Sequence, residues 1–285
     1  MSERRIGQVV PAHAVTEGAG VTVRRTLGTP ALRHLDPFLM LDHFGTDDPQ
    51  DYIAGFPDHP HRGFVTLTYM LDGHMLHQDS MGNRGDLRAG GIQWMKAASG
   101  VIHSEMPQQT DGLMRGFQLW INLPAKEKMS EPAYQEFPAA RIPVTSAGGT
   151  RVKVISGEYA DARGPIDDPH TGVRYYDVTL EPGAGFRHAL AAELNAFLYP
   201  YEGYLAIDGT HVAAHHLVVL GAGDEVAVTA GKSGARFILV AARPIGEPIV
   251  QYGPFVMNTE QEIRQAFADY QANRLVRSRA RTTSA

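Results

Sequence analysis

Phe56-Pro57-Asp58-His59-Pro60-His61-Arg62-Gly63-Phe64, answered further along by Ser99-Gly100-Val101-Ile102-His103-Ser104-Glu105-Met106-Pro107, decides how this chain folds. Each stretch carries two coordinating side chains one residue apart, His59 with His61 and His103 with Glu105. Residues i and i+2 of a strand project from the same face. If both stretches are strands lying side by side, three imidazoles and one carboxylate meet at one point. That is a metal site.

The sequence between them is strand-like. Phe64 to Leu71 is rich in β-branched and aromatic residues, and Asp72-Gly73 closes it with a turn signal. Pro60 cannot donate to a ladder, which suits the first residues of a strand or an edge. Gly85-Asp86 opens another stretch that runs through Ile92-Gln93-Trp94-Met95. His77 and Asp79 also share a strand face. No second coordinating pair complements them, so they read as surface groups or as support outside the ligand set.

Outward from this core, residues 7–27 alternate weakly and can supply early strands, and Asp36 to Phe44 is an apolar run typical of a buried strand. Asp42 and His43 within it, and His34 before it, are assigned structural roles. Arg115 to Leu123 reads as a strand with Gln118 as a hydrogen-bonded interior amide. Pro124 to Pro138 breaks the pattern, and Ala139 to Thr150, with Pro143 and Gly148-Gly149, reads as a connection between domains.

The second half echoes the first. With Gly203 laid on Gly73, Asn195 to Glu202 matches Val65 to Asp72, and Gly223-Asp224 falls on Gly85-Asp86. On that register Ala189, Ala191, Ala241 and Arg243 stand where the first half has His59, His61, His103 and Glu105. A duplicated domain whose second copy lacks ligands accounts for this. His188 and the group His211, His215 and His216 remain, and read as solvated. Near the end, Thr259 with Glu262 forms a capping box, and Ile263, Ala266, Phe267 and Tyr270 follow at helical spacing, a helix packing that face as core. Leu275 to Ala285 reads as a disordered tail.

The totals bound the chemistry. The chain has 285 residues, 43% of them hydrophobic, with 30 glycines and 18 prolines, which suits many short strands and turns. A net charge of −5 with interspersed signs gives no nucleic-acid or membrane surface. No cysteine is present, so thiolate sites and disulfides are excluded and any metal uses nitrogen and oxygen donors. No apolar run is long enough to span a bilayer, and a cytoplasmic monomer is expected. Imidazole and carboxylate suit Fe, Mn, Ni, Cu or Zn. Three neutral imidazoles and one carboxylate around a divalent ion leave about one positive charge, which attracts an anionic oxygen ligand.

The arrangement resembles the cupin double-stranded β-helix, and in particular the pirin family. The residues that carry the likeness are Asp36-Pro37-Phe38, His59-Pro60-His61-Arg62-Gly63-Phe64, Gly85-Asp86, Gln93-Trp94-Met95, His103-Ser104-Glu105-Met106-Pro107, Gln118 to Pro124 and Pro254-Phe255-Val256-Met257-Asn258-Thr259. The resemblance implies an all-β chain of two tandem cupin barrels packed face to face with a short C-terminal helix. Residues 1–138 would be a metal-binding cupin. Residues 139–285 would be a cupin without ligands, ending in the helix and tail. It implies non-haem Fe(II) on His59, His61, His103 and Glu105, with Glu105 also a candidate catalytic base. Pirins include quercetin 2,3-dioxygenases, so a flavonol-like substrate and O₂ are expected. Other pirins act through protein partners, which makes a metal-dependent regulatory protein the alternative. The lysine- and arginine-rich pocket of a zinc-type sugar isomerase is missing. One departure stands out: relatives carry Glu where this chain has Val65, a position that parity places inside the cup, and its loss favours the non-catalytic alternative.

Overall fold

A computed structural model describes residues 2–277 of the chain. Its first strands are β1 (Ile6–Pro11), β2 (His13–Glu17), β3 (Val21–Leu27), β4 (Phe38–Thr46), β5 (Phe56–His61) and β6 (Phe64–Asp72). Next come β7 (His74–Asp79), β8 (Arg84–Arg88), β9 (Ile92–Lys96), β10 (Val101–Pro107), β11 (Met114–Asn122), the short helix α1 (Ala125–Lys128) and β12 (Ala133–Phe137). The second half contributes β13 (Val144–Ala147), β14 (Thr150–Ser156), β15 (Glu158–Tyr159), β16 (Ala162–Arg163), β17 (Arg174–Leu180) and β18 (Gly185–Ala189). After these come β19 (Asn195–Ile207), β20 (Thr210–Ala213), β21 (His216–Leu220), β22 (Glu225–Ala242), β23 (Val250–Tyr252), β24 (Phe255–Met257) and helix α2 (Glu260–Gln271).

Contacts divide the chain into two compact units that are not consecutive in sequence. One comprises Ala14–Arg25, Phe38–Ala139 and Ile245–Ala285; the other comprises Met1–His13, Thr26–Pro37 and Ala140–Pro244. The expected division at 138/139 differs from this at both ends. At the amino end, β1 pairs with β21 and so extends the second sheet. At the carboxyl end, residues 245–277 pack on the first unit. The physical reason is visible around the motif turn. Arg62, 1% exposed, donates from Nε to the Ser99 carbonyl at 2.7 Å and from Nη1 to Asp269 on α2 at 2.8 Å. Lys128 Nζ donates to the carbonyls of Gly63 and Val256 and to Asn122 Oδ1. Gly63 itself, at φ +90°, comes so close to β24 that an added Cβ would lie 1.9 Å from the Val256 carbonyl oxygen.

In the first unit, sheet order β12-β9-β6-β11-β4-β3-β2 faces the four-stranded sheet β5-β10-β7-β8. Side chains from both, among them Val23, Phe44, Met70, Met75 and Leu87, form the apolar core between them. The second unit is built on β1-β21-β19-β22-β17-β14-β13, with β18 on β22 and β20 on β19. Its interior is closed by an apolar cluster that includes Tyr176, Phe186, Leu198, Phe237 and Leu239.

Helix α2 has the capping box on Thr259 with both reciprocal bonds, and buries Ile263 and Ala266. Tyr270 departs from the expected core stripe at 38% exposed, because the buried face turns instead through Asp269. Leu275, placed in the tail by sequence, is 1% exposed and packs with Phe255 and Ile263. The remainder of that tail, from residue 278, lies outside the described residues. Among the described residues no helix is long and apolar enough to cross a membrane.

Candidate metal centre

Three adjacent strands of the small sheet build the site. β5 and β10 pair with His59 opposite His103 and His61 opposite Val101. The expected side-by-side strands are therefore present. On its other edge β10 pairs with β7, which sets His77 opposite Glu105 and Asp79 opposite His103. Directly opposed residues share a face, so His77 joins the same cluster. One ligating atom from each of His59, His61 and His103 lies within 4.8 Å of the others, and the same holds for His77, His103 and Glu105. Of the four expected ligands, His59, His61 and His103 fall in one triad, and Glu105 meets His103 in a second triad that His77 completes. The surface reading of His77 does not hold: it is 1% exposed. Its partner strand was the missing information, since nothing local pairs β7 with β10.

Hydrogen bonds orient the rings. His59 Nδ1 donates to the Pro57 carbonyl at 2.8 Å, and His61 Nδ1 makes a longer contact of 3.4 Å to the Pro254 carbonyl. A carbonyl only accepts, so both rings carry their proton on Nδ1 and present a lone pair at Nε2. His103 Nδ1 lies 3.4 Å from His77 Nδ1, and His77 Nε2 lies 3.3 Å from Asp79 Oδ2. Burial, reinforced by the neighbouring His59, pushes the His61 pKa well below its ordinary value; burial and the surrounding imidazoles do the same to His103. Both stay neutral at physiological pH, the form that ligates metal.

The carboxylate is held as firmly. Glu105 is 2% exposed; Thr68 donates to its Oε1 at 3.3 Å and Gln118 Nε2 to its Oε2 at 2.9 Å. Gln118 Oε1 in turn accepts from Trp120 Nε1 at 3.2 Å. Gln118 is therefore the interior amide expected, and it also lines the cavity beside the site. One buried atom is left over. His103 Nε2 has no hydrogen-bond partner. Buried polar atoms are rarely left unpaired, and an imidazole nitrogen among two others fits a metal ion of the nitrogen-and-oxygen class.

His59 and His61 open onto a cavity of about 630 Å³, within the range that holds a drug-sized ligand. Met40, Phe56 and Trp120 form apolar parts of its wall. A polar part carries Asp42, which accepts a bidentate pair of bonds from Arg25 at 2.7 and 2.6 Å, and Glu17, 2.7 Å from the same guanidinium. Burial disfavours that guanidinium's charge, yet the two carboxylates outweigh burial and hold its pKa above the ordinary value.

Val65 needs correction. On β6 the even positions face the site: Phe64 packs edge-on against His61 at 5.0 Å and Thr68 reaches Glu105. Val65 has the opposite parity, and its direct neighbours across the ladder are Lys96 and Ile121. Its side chain is turned away from the imidazoles.

Among the described residues, both groups able to hold a metal lie in the first unit. His211 is exposed, as expected, while His215 and His216 are half-buried. His188 departs further: it is half-buried beside Tyr159 and Tyr176, and burial with Arg174 pushes its pKa down to about 4.

A pirin-like protein of Caulobacter vibrioides is 49% identical over 276 residues, covering 96% of this chain and 100% of the relative. The chain belongs to the pirin family. The Pirin model matches residues 20–121, and the Pirin C-terminal cupin domain model matches residues 175–276, so both halves are cupin domains. Human pirin is 40% identical over 287 residues, covering 99% of this chain and 97% of that one. A crystal structure of quercetin 2,3-dioxygenase from Acinetobacter baumannii superposes with a TM-score of 0.89 at 30% identity, covering 96% and 99% of the two chains.

Proposed function

We propose that this protein is a mononuclear non-haem metal dioxygenase that opens the ring of a flavonol-like substrate with O₂. The observation that carries the reading is the unpartnered, buried Nε2 of His103 beside His59 and His61, which open onto a cavity. The likeness to the Acinetobacter baumannii quercetin 2,3-dioxygenase supports the choice of substrate class. His59, His61, His103 and Glu105 are the proposed ligands, with Fe(II) as the ion and Mn, Ni, Cu or Zn compatible with the donors. Such an ion, when bound, supplies a Lewis acid that lowers the pKa of a coordinated hydroxyl and a place for dioxygen beside it.

The chain's own groups do the rest. Trp120, Phe56 and Met40 offer an apolar wall against which a planar aromatic ring can lie and exclude water. Glu105 is the proposed acceptor of the substrate's hydroxyl proton, and the donors Thr68 and Gln118 keep its carboxylate aimed. Ring opening of a flavonol places both atoms of O₂ in the products and releases carbon monoxide. The regulatory alternative drew its sequence support from the loss of a carboxylate at Val65, and that side chain is turned away from the imidazoles. A cytoplasmic, monomeric enzyme remains part of this reading.

The test is an anaerobic titration of iron-loaded protein with quercetin, followed by admission of O₂. A spectral shift on binding and carbon monoxide on oxygenation are expected; neither shift nor turnover would sink the proposal. Elemental analysis of protein purified without added metal identifies the ion.

A further inference from the structure

We propose that Asp79 and His77 form a buried relay that locks the proton of His103 on Nδ1, and that these two side chains, themselves outside the ligand set, thereby determine how tightly the centre holds its metal. The inference rests on the reading of His59, His61 and His103 as ligands.

The three histidines are not held alike. His59 and His61 each have a backbone carbonyl at Nδ1, which can only accept, so each keeps its lone pair on Nε2. His103 has another imidazole there. Its contact to His77 Nδ1 works in either direction, and the wrong direction would place a hydrogen on Nε2, where an ion needs a lone pair. Something has to choose.

Asp79 makes the choice. Its side chain is fully buried, at 0% exposed. Its Oδ1 accepts from the backbone amides of Met81 at 2.9 Å and Asn83 at 3.0 Å, and its Oδ2 accepts from Asn83 Nδ2 at 2.9 Å. A carboxylate so surrounded by donors is an acceptor towards His77 too, so His77 Nε2 carries the hydrogen. With its hydrogen on Nε2, His77 offers His103 the lone pair of Nδ1, and His103 Nδ1 is the donor. His77 cannot readily turn away. The Tyr134 ring packs on it at 5.0 Å, and Tyr134 is fixed by Gln93 and Glu136. That layer fits only because Gly85 stands opposite His77: a Cβ there would lie 2.0 Å from the Tyr134 hydroxyl and 1.9 Å from Glu136 Oε2.

The experiment uses the full chain stripped of metal. Zinc(II) affinity is measured by competition with a chromophoric chelator for wild type, Asp79→Asn, His77→Leu and His77→Asn, and imidazole tautomers are read by long-range ¹H–¹⁵N correlation. In wild type, His103 should carry its hydrogen on Nδ1. Asp79→Asn offers an N–H to His77 Nε2 and should move the His103 hydrogen to Nε2. It and His77→Leu should weaken zinc binding about 10- to 100-fold. His77→Asn restores an acceptor oxygen at the δ position and should recover most of that loss. A wild-type His103 protonated on Nε2, or equal zinc affinity in all four proteins, would overturn the relay. The wild-type tautomer decides even if a variant fails to fold. If wild type binds no zinc but has the expected tautomer, the metal reading fails and the lock stands.

Discussion

Replacing Arg62 with Met tests how the carboxyl-terminal segment is held to the ligand-bearing strand. The guanidinium is 1% exposed and spans three acceptors: the Ser99 carbonyl at 2.7 Å, Asp269 Oδ2 at 2.8 Å and the Leu275 carbonyl at 3.4 Å. Methionine keeps much of the stem's packing but leaves the Asp269 carboxylate, 6% exposed, with Gln265 as its remaining side-chain donor. Stranding one partner of a buried ion pair costs about 3–5 kcal/mol. Losing the donor to a buried carbonyl costs about 1–3 kcal/mol more, partly offset by no longer burying the guanidinium. A net loss of about 4 kcal/mol is expected, a large share of the stability of any domain. Urea denaturation followed by circular dichroism measures it. A companion Asp269→Leu and the double variant complete a cycle, and a coupling of about 2–3 kcal/mol should appear because the double variant removes both charges. A single-variant loss under about 1 kcal/mol, or a coupling near zero, would refute this account of the clasp. The hydrogen bond from Arg62 is also the main reason the Asp269 pKa is depressed. Stability from this group is present above the unfolded carboxylate pKa and is lost as pH falls through the lower folded value.

Other outcomes follow from the same geometry. His61→Ala should abolish stoichiometric metal loading, measured by elemental analysis, while the circular dichroism spectrum stays native, because the apolar core of the first unit does not depend on that ring. Val65→Glu should leave zinc affinity within about threefold of wild type, since a carboxylate there meets Lys96 across the ladder; a change beyond about tenfold would show that the position faces the ligands. His188 has its folded pKa lowered to about 4, below the unfolded value, so the unfolded chain takes up the proton first. Its contribution to stability should therefore fall as pH drops from about 6.5 towards 4. His188→Gln should flatten that part of the urea-midpoint profile, and an unchanged slope would count against the assignment.

Much of the site was legible because its signals are local. A one-residue gap between donors, glycine and proline at the turns and β-branched runs are properties of a few consecutive residues; they singled out His59, His61, His103 and Glu105 as candidate ligands, and they located the α2 capping box. The repeat with Ala189 and Ala191 in place of imidazoles likewise pointed to a second unit without ligands, and that unit's interior is filled by apolar side chains. Val65 was misread because parity was counted without knowing which face of β6 looks at the site. Phe64 and Thr68 settle that, and they do so only through contacts to His61 and Glu105.

Alternation along a strand is dictated by backbone geometry, so the chain alone determined which side chains travel together. Which strands become neighbours depends on pairing between distant segments, and a row of residues does not encode its partner locally. Tertiary structure therefore decided that β7 lies against β10 and brings His77 to His103. It also decided that β1 joins the second sheet and that the segment carrying Val256 and Asp269 closes over Lys128 and Arg62.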